Sequence, residues 1–96
     1  TRRVEVKVQA SYDAEPQEVI DALVLAGTVD KALTDPAPAA VVLGYGESAM
    51  DYSLRIWVKS EDYWDVFFQV NQRVKQIFDE QHIAMTYPHL NVHLHQ

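Results

Sequence analysis

The stretch Met50-Asp51-Tyr52-Ser53-Leu54-Arg55-Ile56-Trp57-Val58-Lys59 alternates without a break. Met50, Tyr52, Leu54, Ile56 and Val58 fall on one side, and Asp51, Ser53, Arg55, Trp57 and Lys59 on the other. Successive strand residues point to opposite faces, so this period of two predicts a β-strand with one face buried. Upstream, the short apolar run from Ala39 to Leu43 is followed by Gly44-Tyr45-Gly46-Glu47-Ser48, which carries turn chemistry. Two strands joined by a short glycine-containing loop predict a hairpin. Downstream, Ser60 is a candidate N-cap, with Glu61 and Asp62 suited to the positive end of a helix dipole. Val66, Phe67, Val70, Val74, Ile77 and Phe78 then recur at helical spacing, predicting a long amphipathic helix that ends near Gln81.

The N-terminal part repeats this logic. Val4, Val6, Val8 and Ala10 alternate with Glu5, Lys7 and Gln9, a second half-buried strand that Tyr12 and Asp13 end. Asp13 to Pro16 read as a helix start with Asp13 as cap, and Val19, Ile20, Leu23 and Ala26 form an apolar stripe. Asp35-Pro36-Ala37-Pro38 can continue neither a helix nor a central strand. Ile83 to Tyr87 reads as a short strand that Pro88 breaks. The order β-α-β-β-α-β predicts an α+β domain, a ferredoxin-like sandwich with two helices on one face of a mainly antiparallel sheet.

One element is left over. Leu90, Val92 and Leu94 alternate with Asn91, His93 and His95 in an additional C-terminal strand for which the completed sheet has no mate. A strand with an apolar face and unpaired backbone groups is suited to pairing with another chain. The expected organisation is therefore a ferredoxin-like domain over residues 1–89 and an assembly strand over residues 90–96, and the opening at Thr1 suggests a fragment of a longer protein.

Composition narrows the functional classes. The chain has 96 residues, 48% of them hydrophobic and 23% charged, as in an ordinary folded domain. Fourteen acidic against eight basic residues give a net charge of −6, which repels phosphate backbones. RNA-binding relatives of this fold use aromatic and basic residues on the central strands. Here the polar faces carry Glu5, Lys7, Gln9 and Asp51, with Trp57 the sole aromatic, so no nucleic-acid partner is expected. No apolar run reaches the roughly 18 residues of a membrane span. There is no cysteine, no G-x-S-x-G elbow and no phosphate-binding loop around Gly44 and Gly46. The acidic pairs Glu61-Asp62 and Asp79-Glu80 sit at helix ends with no sign of a convergent partner, so neither an enzyme nor a cofactor is expected.

Two features remain. His93 and His95 share one strand face with His89 nearby, a spacing that offers two imidazoles to a metal but no complete site; a polar or interfacial strand face explains them as well. Trp57 points away from the face that the helices should cover. A large apolar side chain there suits contact with another domain or subunit, whereas Trp64 reads as peripheral packing.

The sequence as a whole resembles the C-terminal domain of MscS-like mechanosensitive channels. The resemblance runs through Arg2-Arg3 and the following strand to Tyr12-Asp13. It continues through Ser53-Leu54-Arg55-Ile56-Trp57-Val58, Tyr63-Trp64, Arg73-Val74-Lys75-Gln76-Ile77-Phe78-Asp79, His82-Ile83, Tyr87-Pro88 and Val92. Departures fall at turns: Thr86 stands where the family usually has proline, His89 where it has glutamine, and His82 where it has glycine. The resemblance implies one subunit of a homo-oligomer, a heptamer, forming a cage on the cytoplasmic side of the bacterial inner membrane. An Sm-like β domain and transmembrane helices would lie upstream. It also implies that Leu90, Asn91, Val92, His93, Leu94 and His95 join their copies in a small barrel. The competing expectation is a stand-alone, oligomeric ferredoxin-like module that binds a small molecule or a metal at a dimer interface.

Overall fold

The computed structural model describes residues 1–85. Strand β1 (Arg2–Ser11) is followed by helix α1 (Pro16–Gly27), the hairpin strands β2 (Ala39–Tyr45) and β3 (Ala49–Val58), a single 3-10 turn (Ser60–Asp62) and helix α2 (Tyr63–Glu80). β3 lies in the middle of an antiparallel sheet of order β1-β3-β2. Met85 bridges Ala10, and the Ser11 amide donates to the Ala84 carbonyl at 3.0 Å. The chain thus returns to the free side of β1, where the ferredoxin-like arrangement places its fourth strand. The short strand expected over 83–87 is described only to this bridge. The strand from Leu90 to His95 and the boundary between residues 89 and 90 lie outside the described residues.

The register explains the core. Val4 lies opposite Ile56, Val6 opposite Leu54 and Val8 opposite Tyr52, so the alternating apolar residues of both strands share one face. All of them are buried. α2 packs over β1, and α1 over β2 and β3. α2 contributes Val66, Val70, Val74, Ile77 and Phe78, and α1 contributes Val19, Ala22, Leu23 and Ala26. Burial of these side chains supplies the main stabilisation, about 1.5–3 kcal/mol for each large one. Gly27 lies where an added Cβ would stand 3.2 Å from both Leu54 and Ile56, so α1 meets the sheet closely at its last residue.

Local details differ from the sequence reading at three places. Neither Asp13 nor Ser60 caps a helix. Glu15 occupies the α1 N-cap position and Asp62 that of α2, both without a side-chain cap, because Pro16 fixes the first turn of α1 and a 3-10 turn precedes α2. β2 continues past the expected turn to Tyr45 by way of a β-bulge between Val42 and Gly44. The reversal is then made at Gly46, whose amide donates to the Ala49 carbonyl at 2.8 Å; a Cβ there would meet that same oxygen at 2.9 Å.

The end of α2 is a Schellman motif. The Ile83 amide reaches back to the Phe78 carbonyl at 2.9 Å and the His82 amide to that of Asp79 at 3.3 Å. Buried Ile83 and Phe78 make the apolar pair that accompanies such caps. The motif requires a left-handed residue, and His82 takes it with φ 59°. A side chain in that region costs about 1 kcal/mol relative to glycine. His82→Gly is therefore expected to raise the unfolding free energy by about 0.5–1 kcal/mol; an unchanged or lowered urea midpoint would contradict this.

Candidate interaction surfaces

The helices cover one face of the sheet, and the other face carries Arg3, Glu5, Lys7 and Gln9 of β1 with Asp51, Ser53, Arg55 and Trp57 of β3. On this open face Ser53 is nevertheless fully buried, and its hydroxyl donates to Glu5 Oε2 at 2.6 Å. Arg55 Nε stands 3.6 Å from the same oxygen. That nitrogen is shielded from solvent and is the single such side-chain atom among the described residues without a hydrogen-bond partner. The Ser53 hydrogen bond holds the Glu5 carboxyl below its usual range; partial burial opposes it, and the charges of Arg55, Lys7 and Arg3 add to it. A polar cluster is thus drawn together where the alternation pattern promised only solvated side chains.

The sign of its pH dependence follows. A depressed folded-state pKa contributes stability above the unfolded value, and that contribution is lost as pH falls through the folded pKa. The stability gap between the natural protein and a Ser53→Ala variant is expected to be full at neutral pH and to shrink as Glu5 protonates. Urea titrations at pH 7 and pH 3 check this; a gap equal at both values would show that the hydroxyl does not act through the carboxylate.

Trp57 lies on this face as expected, opposite Arg3 and half-buried, with its carbonyl accepting from the Leu33 amide at 2.8 Å. Trp64 lies at the periphery of the packing: it is 58% exposed, and Phe68, one turn on, is 62% exposed. The two rings stack at 5.9 Å, and Trp64 meets Tyr63 and Phe67 edge-on at 5.0 and 5.6 Å. The Arg2 guanidinium sits 3.8 Å over the Tyr63 ring, tying the start of β1 to this cluster. Adjacent aromatics at positions 63, 64, 67 and 68 are visible in the sequence, but helical spacing alone does not say which of them the sheet covers.

Among the described residues no three His, Cys, Asp or Glu side chains converge on a metal-sized site, and no helix is long and apolar enough to cross a membrane. His89, His93 and His95 lie outside the described residues, as does the rest of the expected assembly strand.

The family described as the C-terminal domain of the mechanosensitive ion channel MscS matches residues 3–85, nearly the whole of this architecture. The chain belongs to the MscS family. Its relatives include an uncharacterized MscS family protein of Synechocystis, 30% identical over 99% of this chain and 32% of that protein. A small-conductance mechanosensitive channel of Edwardsiella ictaluri is 28% identical over 99% of this chain and 34% of its own length. This MscS domain therefore spans about a third of the curated relatives it matches. Its fold is also that of part of the closed-state crystal structure of Helicobacter pylori MscS, with TM-score 0.77 and 22% identity over 90% of this chain and 35% of that one. Arabidopsis thaliana MSL1 is similar at TM-score 0.70 and 12% identity, over 91% of this chain and 34% of its own.

Proposed function

We propose that this MscS domain is a non-enzymatic part of a tension-gated channel, a wall element of a cage on the cytoplasmic side of the bacterial inner membrane. The observation that carries the reading is the family match across residues 3–85. The domain does not sense tension itself. It holds copies of the chain together as a homo-oligomer, a heptamer, beneath an upstream Sm-like β domain and transmembrane helices, and it bounds the openings through which osmolytes reach the pore during hypoosmotic shock. Its charge of −6 favours cations over anions in that space. The segment from Leu90 to His95 joins its copies through backbone pairing, and Trp57, on the sheet face that no helix covers, contacts a neighbouring domain or subunit.

The test uses the full-length polypeptide in bacteria stripped of their own mechanosensitive channels. It should restore survival of hypoosmotic downshock and yield tension-activated currents in membrane patches. Removing residues 90–96 should lower the yield of assembled oligomer. Expression in the membrane without tension-activated current would refute the channel reading, and an unchanged oligomer after the truncation would refute the assembly role of the strand.

A further inference from the structure

Seven large hydrophobic side chains are exposed among the described residues, and six of them form two patches on opposite flanks of the domain. The first is the stacked pair Trp64 and Phe68 on α2. Arg73, on the same helix, donates to the carbonyls of Leu25 and Ala26 at the end of α1. Trp64 is nine positions from Arg73, half a revolution at 100° per residue. The aromatic pair thus lies on the flank of α2 turned away from α1, on the β1 side of the sandwich. The second patch is Val41, Leu43 and Tyr45 on β2, the strand at the opposite edge of the sheet, exposed by 36, 47 and 77%. Tyr12 joins it, its hydroxyl donating to the Gly46 carbonyl.

Charge is sparse at both patches in a chain of net charge −6. No Asp, Glu, Lys or Arg occurs from Pro36 to Gly46. Beside Trp64, Asp65 is paired at 3.1 Å with Lys31, which also stands 3.9 Å from Asp62. Copies of an acidic chain repel each other on average, and charge-poor surfaces are where that repulsion is weakest. The patches also differ in build, two stacked rings on a helix flank against Val41, Leu43 and Tyr45 on a strand edge. Contact of either with its own copy would leave the other in water, whereas contact of one with the other covers both in every copy. Two different surfaces on opposite flanks are the requirement for a heterologous, head-to-tail interface, which closes into a ring when the rotation permits. Covering the open β2 edge with a helix also removes the hazard of an unpaired apolar edge strand.

We infer that Trp64 and Phe68 of one copy dock against Val41, Leu43 and Tyr45 of the next, a lateral contact between MscS domains that repeats head to tail around the oligomer. This rests on the homo-oligomer reading and adds to it the two surfaces that meet.

The domain has no cysteine of its own, and the unsubstituted protein is the control for any thiol elsewhere in the full-length chain. Leu43→Cys and Phe68→Cys are placed together and singly in the full-length protein, which is treated in membranes with a short bis-maleimide. Both sites are exposed, and thermal melts of the variants verify folding. The expected result is a covalent ladder from dimer upward in the double variant, with neither single variant exceeding the unsubstituted protein. Efficient dimers from a single variant would mean like-to-like contact and overturn the inference, as would a double variant that only sums the singles. A Phe68→Cys, Leu90→Cys protein that cross-links within one chain would assign the aromatic flank to the C-terminal segment and overturn it too. The oligomeric state of the unsubstituted protein, measured by light scattering, separates the failures. An oligomer without a ladder rejects this contact alone; a monomer rejects both this contact and the homo-oligomer reading.

Discussion

Replacing Phe78 by alanine is expected to destabilise the domain by about 3–5 kcal/mol, the range for truncating a large aromatic in a packed core. Phe78 is fully buried, and its truncation affects two structures together. Its ring fills space in the core shared by α2 and the sheet, and it forms the apolar side of the helix cap with Ile83. Loss of the ring leaves a cavity and loosens the turn that leads the chain to the edge of β1, where Met85 bridges Ala10. Domains of this kind have roughly 5–15 kcal/mol of total stability, so the variant should be extensively unfolded at modest urea concentrations. Equilibrium urea unfolding followed by tryptophan fluorescence measures the effect, and a loss below about 1 kcal/mol would mean that the site collapses around the gap. In the full-length protein the expected consequence is reduced abundance, since less of the domain is folded at any time.

The second large effect is expected at Arg73. Its Nε donates to the Ala26 carbonyl at 3.0 Å and one terminal nitrogen to that of Leu25 at 2.8 Å, across a sequence separation of nearly half the chain. These carbonyls belong to the last turn of α1, where four acceptors lack partners within the helix. α1 has no basic residue of its own in that turn, so the charge comes from α2. A planar guanidinium satisfies two carbonyls together and places a cation at the negative end of the helix dipole. Hydrogen bonds to a charged group contribute about 1.5–3 kcal/mol when well shielded. With Arg73 partly exposed, Arg73→Ala is expected to cost about 2 kcal/mol. Arg73→Lys keeps the cation and loses the fork, so its stability should fall between the other two. Thermal unfolding of the three proteins checks the order; equal losses for alanine and lysine would show that only the geometry matters, and no loss for either would remove the helix-linking role.

The alternation from Met50 to Val58 and from Val4 to Ala10 was sufficient to predict two strands and their buried faces, because a period of two leaves each side chain one orientation. The valines, Ile77 and Phe78 of α2 were legible for the same reason at the helical period. Family membership was legible as well, since it resides in the order of Ser53 to Val58, Tyr63-Trp64, Arg73 to Asp79 and His82-Ile83 along the chain. The caps were less so: Asp13 and Ser60 have the right chemistry, but Pro16 and a 3-10 turn set where the helices begin.

Periodicity assigns a residue to a face and is silent about what covers that face. Ser53 stands at a polar position of β3 and is buried because Glu5 and Arg55 close around it, a contact 48 residues apart in sequence. Trp64 and Phe68 lie largely exposed in the fold, because α1 and the sheet occupy the other sides of α2. His82 adopts a glycine conformation because Ile83 must reach back to Phe78. The elements and their buried faces were readable from the chain alone because they depend on neighbours a few residues away, and the family because it rests on the order of segments along the chain. Which polar groups are buried, which aromatics remain in water and on which flanks they stand became visible in the fold, because those follow from contacts between segments that meet when the chain is folded.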